Sequence, residues 1–491
     1  MTTGTAALIS RGLFHSCRAG AVRAGVLGIA ATIVATAAAA GTVRVPAGEE
    51  ALQAAVDAAT DGDVLVLEPG VHLGPVVVAR PLTLHGENGA VVDGRSRGPV
   101  IIVKAPDVTV RNLVVQNSGT DRERIASGIH LDRAAHRAVI DGNRLEGNLF
   151  GVYIWGPSDA LVRDNTIIGR DDLRMSERGN GVSVWNSPGT RIVGNRIVNG
   201  RDGIFVSKTQ RNVFSRNRLE GVRFGIHYMD ANDSEVSGNI SVGNQVGYAI
   251  MMSNRIVVRN NLSQGDRDHG FLLHSINGSR FEANAVKGRF LRLAPIQGDR
   301  DDPDPDVPRE AEPADGPRIG TGKCLFVLGS ARNEIRDNRF EGCEIGAHIT
   351  GGAERNTIVG NAFVDNRTQV KYVGARVVEW SEKGRGNYWS DNAAFDLNGD
   401  GIADEPYRPN DLVDRVMWAH PTAKLLLNSP GIQVIRWAQK QLPLLQKGGI
   451  VDTSPLMAPP ESGVLTQSPS DAPVGGSVQG RRVERGTDGE G

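Results

Sequence analysis

Aromatic residues make up only 5% of this 491-residue chain, against 61 glycines. That balance fits many short turns and thin strands better than a helical enzyme with a large aromatic core. An excess of charge of either sign is also lacking: 55 Lys and Arg stand against 56 Asp and Glu. Bulk charge therefore points neither to a nucleic-acid footprint nor to a strongly acidic partner. Long apolar runs are missing as well. The one beginning near Gly25, after Arg11, Arg18 and Arg23, is shorter than the ~20 residues a membrane span needs. It ends in the small residues Ala37 to Ala40 before Gly41, and residues 1–40 are expected to be a cleaved secretory signal peptide. Of the three cysteines, Cys17 would leave with it. Cys324 and Cys343 would remain in an oxidising compartment, where a disulfide or a pair of inert thiols is favoured over metal or redox duty.

What the chain does have is a repeat. One asparagine recurs in the frame hydrophobic-x-x-Asn-x-hydrophobic at Asn112 (a loose match), Asn143, Asn165, Asn195, Asn217, Asn239, Asn261, Asn284, Asn338 and Asn361. Six of the nine spacings are 22 or 23 residues, and the others (31, 30 and 54) are that period plus inserts. A fixed period of this length is the mark of a solenoid, here an all-β, right-handed parallel β-helix. The asparagines are expected inside, satisfying backbone groups and one another at a tight bend. Glu49 to Ala59 reads as an amphipathic helix capping the first turn. Asp301 to Pro317 is an acidic, proline-rich insert. The β-helix is expected over residues 41–395 and a helical region over 396–460, where Asp411 to Trp418 and Pro430 to Leu442 have helical apolar spacing and Ser429-Pro430 is a start signal. The Ser/Gly/Pro-rich tail 461–491 reads as disordered.

A second strand in many turns opens on glycine: Gly151, Gly181, Gly203, Gly225, Gly247, Gly270 and Gly346. The first and third residues after each are apolar, as in Val152/Ile154 and Tyr248/Ile250. They face the core, so the second and fourth face outward. The fourth positions form the column Trp155, Trp185, Ser207, Met229, Met251, His274, Leu328 and Thr350, with His227 two residues before Met229 on the same face. Two thioethers and an imidazole on consecutive turns suit soft Cu(I) and not a hard cation, so Met229, Met251, His274 and His227 are candidate copper ligands. The plainer alternative is that these side chains pack under a loop or a partner.

Asp396-Leu-Asn398-Gly-Asp400-Gly401-Ile402-Ala-Asp404 begins like a Ca²⁺ loop, with Asp396, Asn398, Asp400, Ile402 and Asp404 as candidate ligands. Tyr407 stands where an EF-hand has its bidentate Glu, which excludes a full EF-hand. A carbohydrate lyase or epimerase on the same fold would need acidic and basic groups clustered on one outward face. The outward columns have few carboxylates, and Asp132 with His130 is the nearest approach to a catalytic pair.

Several blocks then narrow the reading. Gly225-Ile-His-Tyr-Met229, Gly247-Tyr-Ala-Ile-Met251, Gly265-Asp-Arg-Asp-His269-Gly270, Asn366-Arg-Thr-Gln-Val-Lys-Tyr372, Gly386-Asn-Tyr-Trp-Ser-Asp391 and Pro406-Tyr-Arg-Pro-Asn-Asp-Leu-Val-Asp414 resemble the NosD family of periplasmic maturation factors for nitrous oxide reductase. The resemblance covers about residues 45 to 460. It implies a non-enzymatic role beside an ATP-binding-cassette ATPase and a permease subunit, in assembling the reductase's copper-sulfur centre, with a copper chaperone lipoprotein as a further partner. In that setting the helical segments from Asp411 to Leu442 would meet the permease, or cap the open end of the solenoid.

Overall fold

Runs such as Val64–Leu67, whose residues are alternately half-buried and buried, are too short to stand alone and gain stability by stacking. Each pairs in parallel with the strand one turn later: Val64–Leu67 with Thr83–Gly86, and that strand with Thr109–Arg111. A computed structural model of the chain describes residues 40–288, 322–372, 374, 376–409, 429–441 and 449–461. Among them, three parallel sheets of 13, 12 and 13 strands run side by side, and each strand's neighbours belong to the turns before and after. This is the expected parallel β-helix. The expected signal peptide, acidic insert, Asp411 to Trp418 helix and C-terminal tail fall outside the described residues.

The first turn is closed by the helix Ala51–Ala58, which buries Leu52 and Val56, one helical turn apart. Its Gln53 amide pairs with the outer edge of strand Val76–Val78, accepting from the Val77 N–H at 2.8 Å and donating to the Val77 carbonyl at 3.3 Å. A free edge that would otherwise invite another strand is thereby covered.

The asparagine ladder lies inside, as the repeat predicts. Asn239 is typical. Its Oδ1 accepts from both the backbone N–H and the side-chain amide of Asn217. Its Nδ2 donates to the Phe214 carbonyl and to Asn261 Oδ1. The pattern runs from Asn143 to Asn361 and continues to Asn387. Asn112 is a correction to the expected register. It is exposed, with φ 55°, and Leu113 occupies the ladder position, giving its N–H to Asn143 Oδ1. The residue before each ladder asparagine from Asn143 to Asn361 is left-handed, as at Gly142, Asp164, Gly194 and Asn260. Asparagine tolerates that conformation, so Asn112 suits the bend and not the interior.

The ladder ends on the returning chain. Asp452, fully buried, accepts from the Asn387 N–H at 2.7 Å, from Trp389 Nε1 at 2.9 Å and from the Ser454 N–H at 3.1 Å. Burial pushes its carboxyl above the ordinary range, against those bonds. Trp389 stacks between Phe363 and Tyr407, at 4.5 and 4.8 Å, so aromatic rings close this end. Cys324 and Cys343 are buried and joined in a disulfide, although Cys324 and its register partner Gly346 leave Cys343 three residues out of line. The later of the two expected C-terminal helices spans Pro430–Gln441, with the Ser429 hydroxyl accepting from the Ile432 N–H. It carries Arg436 and Lys440 and no acidic residue, and Val434 and Ile435 are 62% and 42% exposed.

Candidate metal-binding column

The inward residues fix the outward ones. Ile226 and Tyr228, Tyr248 and Ile250, and Phe271 and Leu273 are buried on three consecutive turns. Strand pairing places Met229 opposite Met251 and Met251 opposite His274. Trp155, Trp185 and Ser207 precede them and Leu328 follows in the same register. Neighbouring positions in such a column lie roughly 4.8 Å apart, within the span that one ion and long flexible thioethers can bridge. All three candidate side chains are half-buried.

After the fourth position the chain bends through a left-handed residue on seven consecutive turns: Gly156, Asn186, Lys208, Asp230, Met252, Ser275 and Gly329. Glycine, asparagine and aspartate are the usual occupants of this conformation. Lys208, Ser275 and Met252 depart from that preference, and Met252, with φ 47° and 48% exposure, is the one large apolar side chain among them. It puts a third thioether beside Met251. Strand alternation does not reach the bend, so this residue was missed; the Met-Met pair in the sequence was the available signal.

His227 departs from its expected setting. It lies in the second outward column, facing Phe205 and Ala249 on adjacent turns, but it is buried, with its ring edge-on to Phe224 at 4.7 Å and Phe205 at 5.1 Å. Its Nδ1 is 3.0 Å from Asp202 Oδ2. Burial raises the Asp202 carboxyl, and the bonds to His227 and Arg223 outweigh it, leaving the group below the ordinary range. A ligand histidine usually gives its second nitrogen to a carboxylate, so Nε2 is the atom left for a metal. The structure thus brings Met229, Met251 and His274 into one column, with Met252 at its edge and His227 in the neighbouring column.

The donor set fits a soft ion. Among the described residues no three His, Cys, Asp or Glu side chains group closely enough to hold a metal, whereas thioether with imidazole is the combination Cu(I) prefers. In the acidic loop, Asp396 accepts from the N–H groups of Gly399, Asp400 and Gly401. Asp400 accepts from Ile402 and Asp404 from Leu397. The carboxylates are folded over their own backbone, and the Tyr407 hydroxyl donates to Asp391. His130 and Asp132 are within electrostatic reach of each other but share no hydrogen bond: His130 stacks on Tyr153 at 5.7 Å, and Asp132 accepts from the Arg133 N–H.

Residues 163–394 match the family model described as periplasmic copper-binding protein (NosD). The chain is 38% identical over 402 residues to a protein of Stutzerimonas stutzeri named probable ABC transporter binding protein NosD, covering 82% of this chain and 88% of that one. A Pseudomonas aeruginosa protein of the same name is also 38% identical, covering 80% and 88%. Among solved structures, a family 28 exopolygalacturonase from Yersinia enterocolitica superposes with a TM-score of 0.49 at 10% identity, covering 67% of this chain and 76% of that one. A repeat shared by unrelated β-helices does not yield such identity along nearly the whole of two relatives, and the chain belongs to the NosD family.

Proposed function

We propose that this protein works in the periplasm as an accessory factor for nitrous oxide reductase, holding Cu(I) on the Met229/Met251/His274 column for delivery to the reductase's copper-sulfur centre. The observation that carries the reading is the in-register stack of two thioethers and an imidazole on consecutive turns, half-buried, with the exposed Met252 next in the chain. Few, soft and partly exposed ligands suit an ion that must be released again. The family's description as periplasmic and copper-binding supports the compartment and the metal. The Cys324–Cys343 disulfide suits an oxidising space.

The relatives' names speak of an ABC transporter. In this reading an ATPase and a permease form the membrane part, and a copper chaperone lipoprotein and the reductase are the donor and acceptor. The helix Pro430–Gln441, basic and with Val434 and Ile435 uncovered, is the segment offered to the permease. Alanine at Met229, Met251 and His274 together is expected to abolish Cu(I) retention in competition with a chromogenic chelator, and to leave the co-expressed reductase short of its copper-sulfur centre. Unchanged copper content in both proteins would sink the site.

The loop Asp396–Asp404 is proposed to hold a structural Ca²⁺, with the carboxylates turning from their own amides to the ion. Adding EGTA should then lower the thermal midpoint of the full chain, and Ca²⁺ should restore it. Identical melts with and without chelator would count against a bound ion.

A further inference from the structure

The corner where the chain enters strands Asp202–Gln210 and Phe224–Asn232 collects four guanidinium groups. Arg201 and Arg223 occupy consecutive turns, the Arg223 N–H donating to the Arg201 carbonyl at 2.7 Å. The Arg201 N–H donates in turn to the Gly179 carbonyl at 2.7 Å, next to Arg178. Arg122 comes from another insert and reaches across to the carbonyls of Ser176 and Arg178, at 3.1 and 2.9 Å. The two inserts that lengthen the asparagine spacing to 31 and 30 residues thus converge here.

Carboxylates do not balance this charge. Asp202 is spent on Arg223, which it takes by Nε and Nη2 at 2.8 Å each, and on His227. Arg178 is held by the carbonyls of Leu173, Asn199 and Asp171. Asp172, within electrostatic reach of Arg178, is bonded to Arg170. Arg201 is the telling group: its Nε is buried and has no hydrogen-bond partner. Burial and the facing charges of Arg223 and Arg122 hold it below its ordinary range, with Asp202 opposing. Elsewhere, several arginines are matched to acids from turn to turn, as in Arg137–Asp107, Arg163–Asp141, Arg196–Glu220 and Arg255–Asp233. A buried donor left unmade is costly, and a cluster of guanidinium forks is the chemistry that recognises planar or tetrahedral oxyanions.

We propose that this corner binds a small dianionic oxyanion of the sulfate or phosphate type, with Arg201 Nε as the buried donor and Arg122 and Arg223 as the groups facing it. The proposal does not rest on the copper reading, although Asp202 links Arg223 to His227, and it is tested on metal-free protein. The full chain is titrated with sodium sulfate, and separately with phosphate, at ionic strength held constant with chloride, followed by calorimetry and by thermal melting. The expected result is a saturable, single-site response to one or both anions. Arg201→Gln and Arg122→Gln should each weaken it at least tenfold, and Arg191→Gln, an exposed residue on another face, should leave it unchanged. Arg201→Lys retains the charge and removes the Nε donor, so it should also bind more weakly while folding normally. A non-saturating rise in melting temperature that is the same in wild type and variants would be general salt exclusion and would overturn the proposal. So would full binding by Arg201→Lys together with Arg201→Gln.

Discussion

Replacing Asn239 by alanine is expected to cost the solenoid about 3–5 kcal/mol. The change leaves the Asn217 N–H and Asn217 Nδ2 without their acceptor, and deprives the Phe214 carbonyl and Asn261 Oδ1 of a donor. All four groups are shut away from water, where each unsatisfied donor costs about 1–3 kcal/mol. Because each turn of a solenoid is stabilised mainly by its neighbours, the loss should be felt locally before it is felt globally. Hydrogen exchange should show the Asn217 amide losing protection first, and urea unfolding should shift to lower concentration or split into two steps. A destabilisation under about 1 kcal/mol, with that amide still protected, would mean that the ladder follows from the strand pairing and does not support it.

The second large effect runs the other way. Asp266 is fully buried, accepts from the Asn244 N–H at 2.8 Å and from the Ser263 hydroxyl at 2.6 Å, and stands where Asn244 stands one turn earlier. Burial pushes its carboxyl up to about 6, against the opposing bonds from Ser263, Ser241 and Asn244. An acid whose folded pKa lies above its unfolded value of 3.8 is happiest protonated in the fold. Stability from this group is full below about pH 4, falls as pH rises through about 6, and stays lost above that. The shift corresponds to up to about 3 kcal/mol at pH 8. Asp266→Asn keeps the acceptor for Asn244 and removes the charge. Thermal melts should show it more stable than wild type at pH 8 and equal to it near pH 4. A variant that is less stable at pH 8 would show that the ionised carboxylate is needed there.

The two halves of the candidate site were legible to different degrees. Met229, Met251 and His274 could be aligned from sequence because strand alternation has period two and each strand opens on glycine, so one residue fixes the rest. Met252 lay beyond that rule, in a bend where side chains follow the left-handed backbone and not the strand. His227 was placed on the correct face, but its burial was not foreseeable, since Phe224, Phe205 and Asp202 enclose it from adjacent turns. The ladder was legible except at its start, where Asn112 satisfies the repeat frame yet sits in the bend, and at its end, where Asn387 stays in line though the apolar frame around it has changed. The arginine corner was only half visible to a periodic search. Arg201 and Arg223 stand one period apart on consecutive turns, but Arg122 and Arg178 come from two inserts more than fifty residues apart, which are the segments a repeat alignment discards.

The closure by Asp452 has an electrostatic meaning. Every ladder asparagine points its N–H and Nδ2 at the Oδ1 of the following turn, so the amide dipoles add along the axis as peptide dipoles do in a helix. The column is a stacked dipole whose positive pole lies at its C-terminal end, where Asn387 presents the last unshared donors. A carboxylate there plays the part of an acidic residue at a helix N-terminus, and the returning chain delivers one. At the opposite, negative pole, Asn143 Oδ1 meets the plain N–H of Leu113. The solenoid is therefore polar from end to end, and its two terminal turns are not interchangeable: grafting the first onto the last would bring a leucine to the pole that needs an anion.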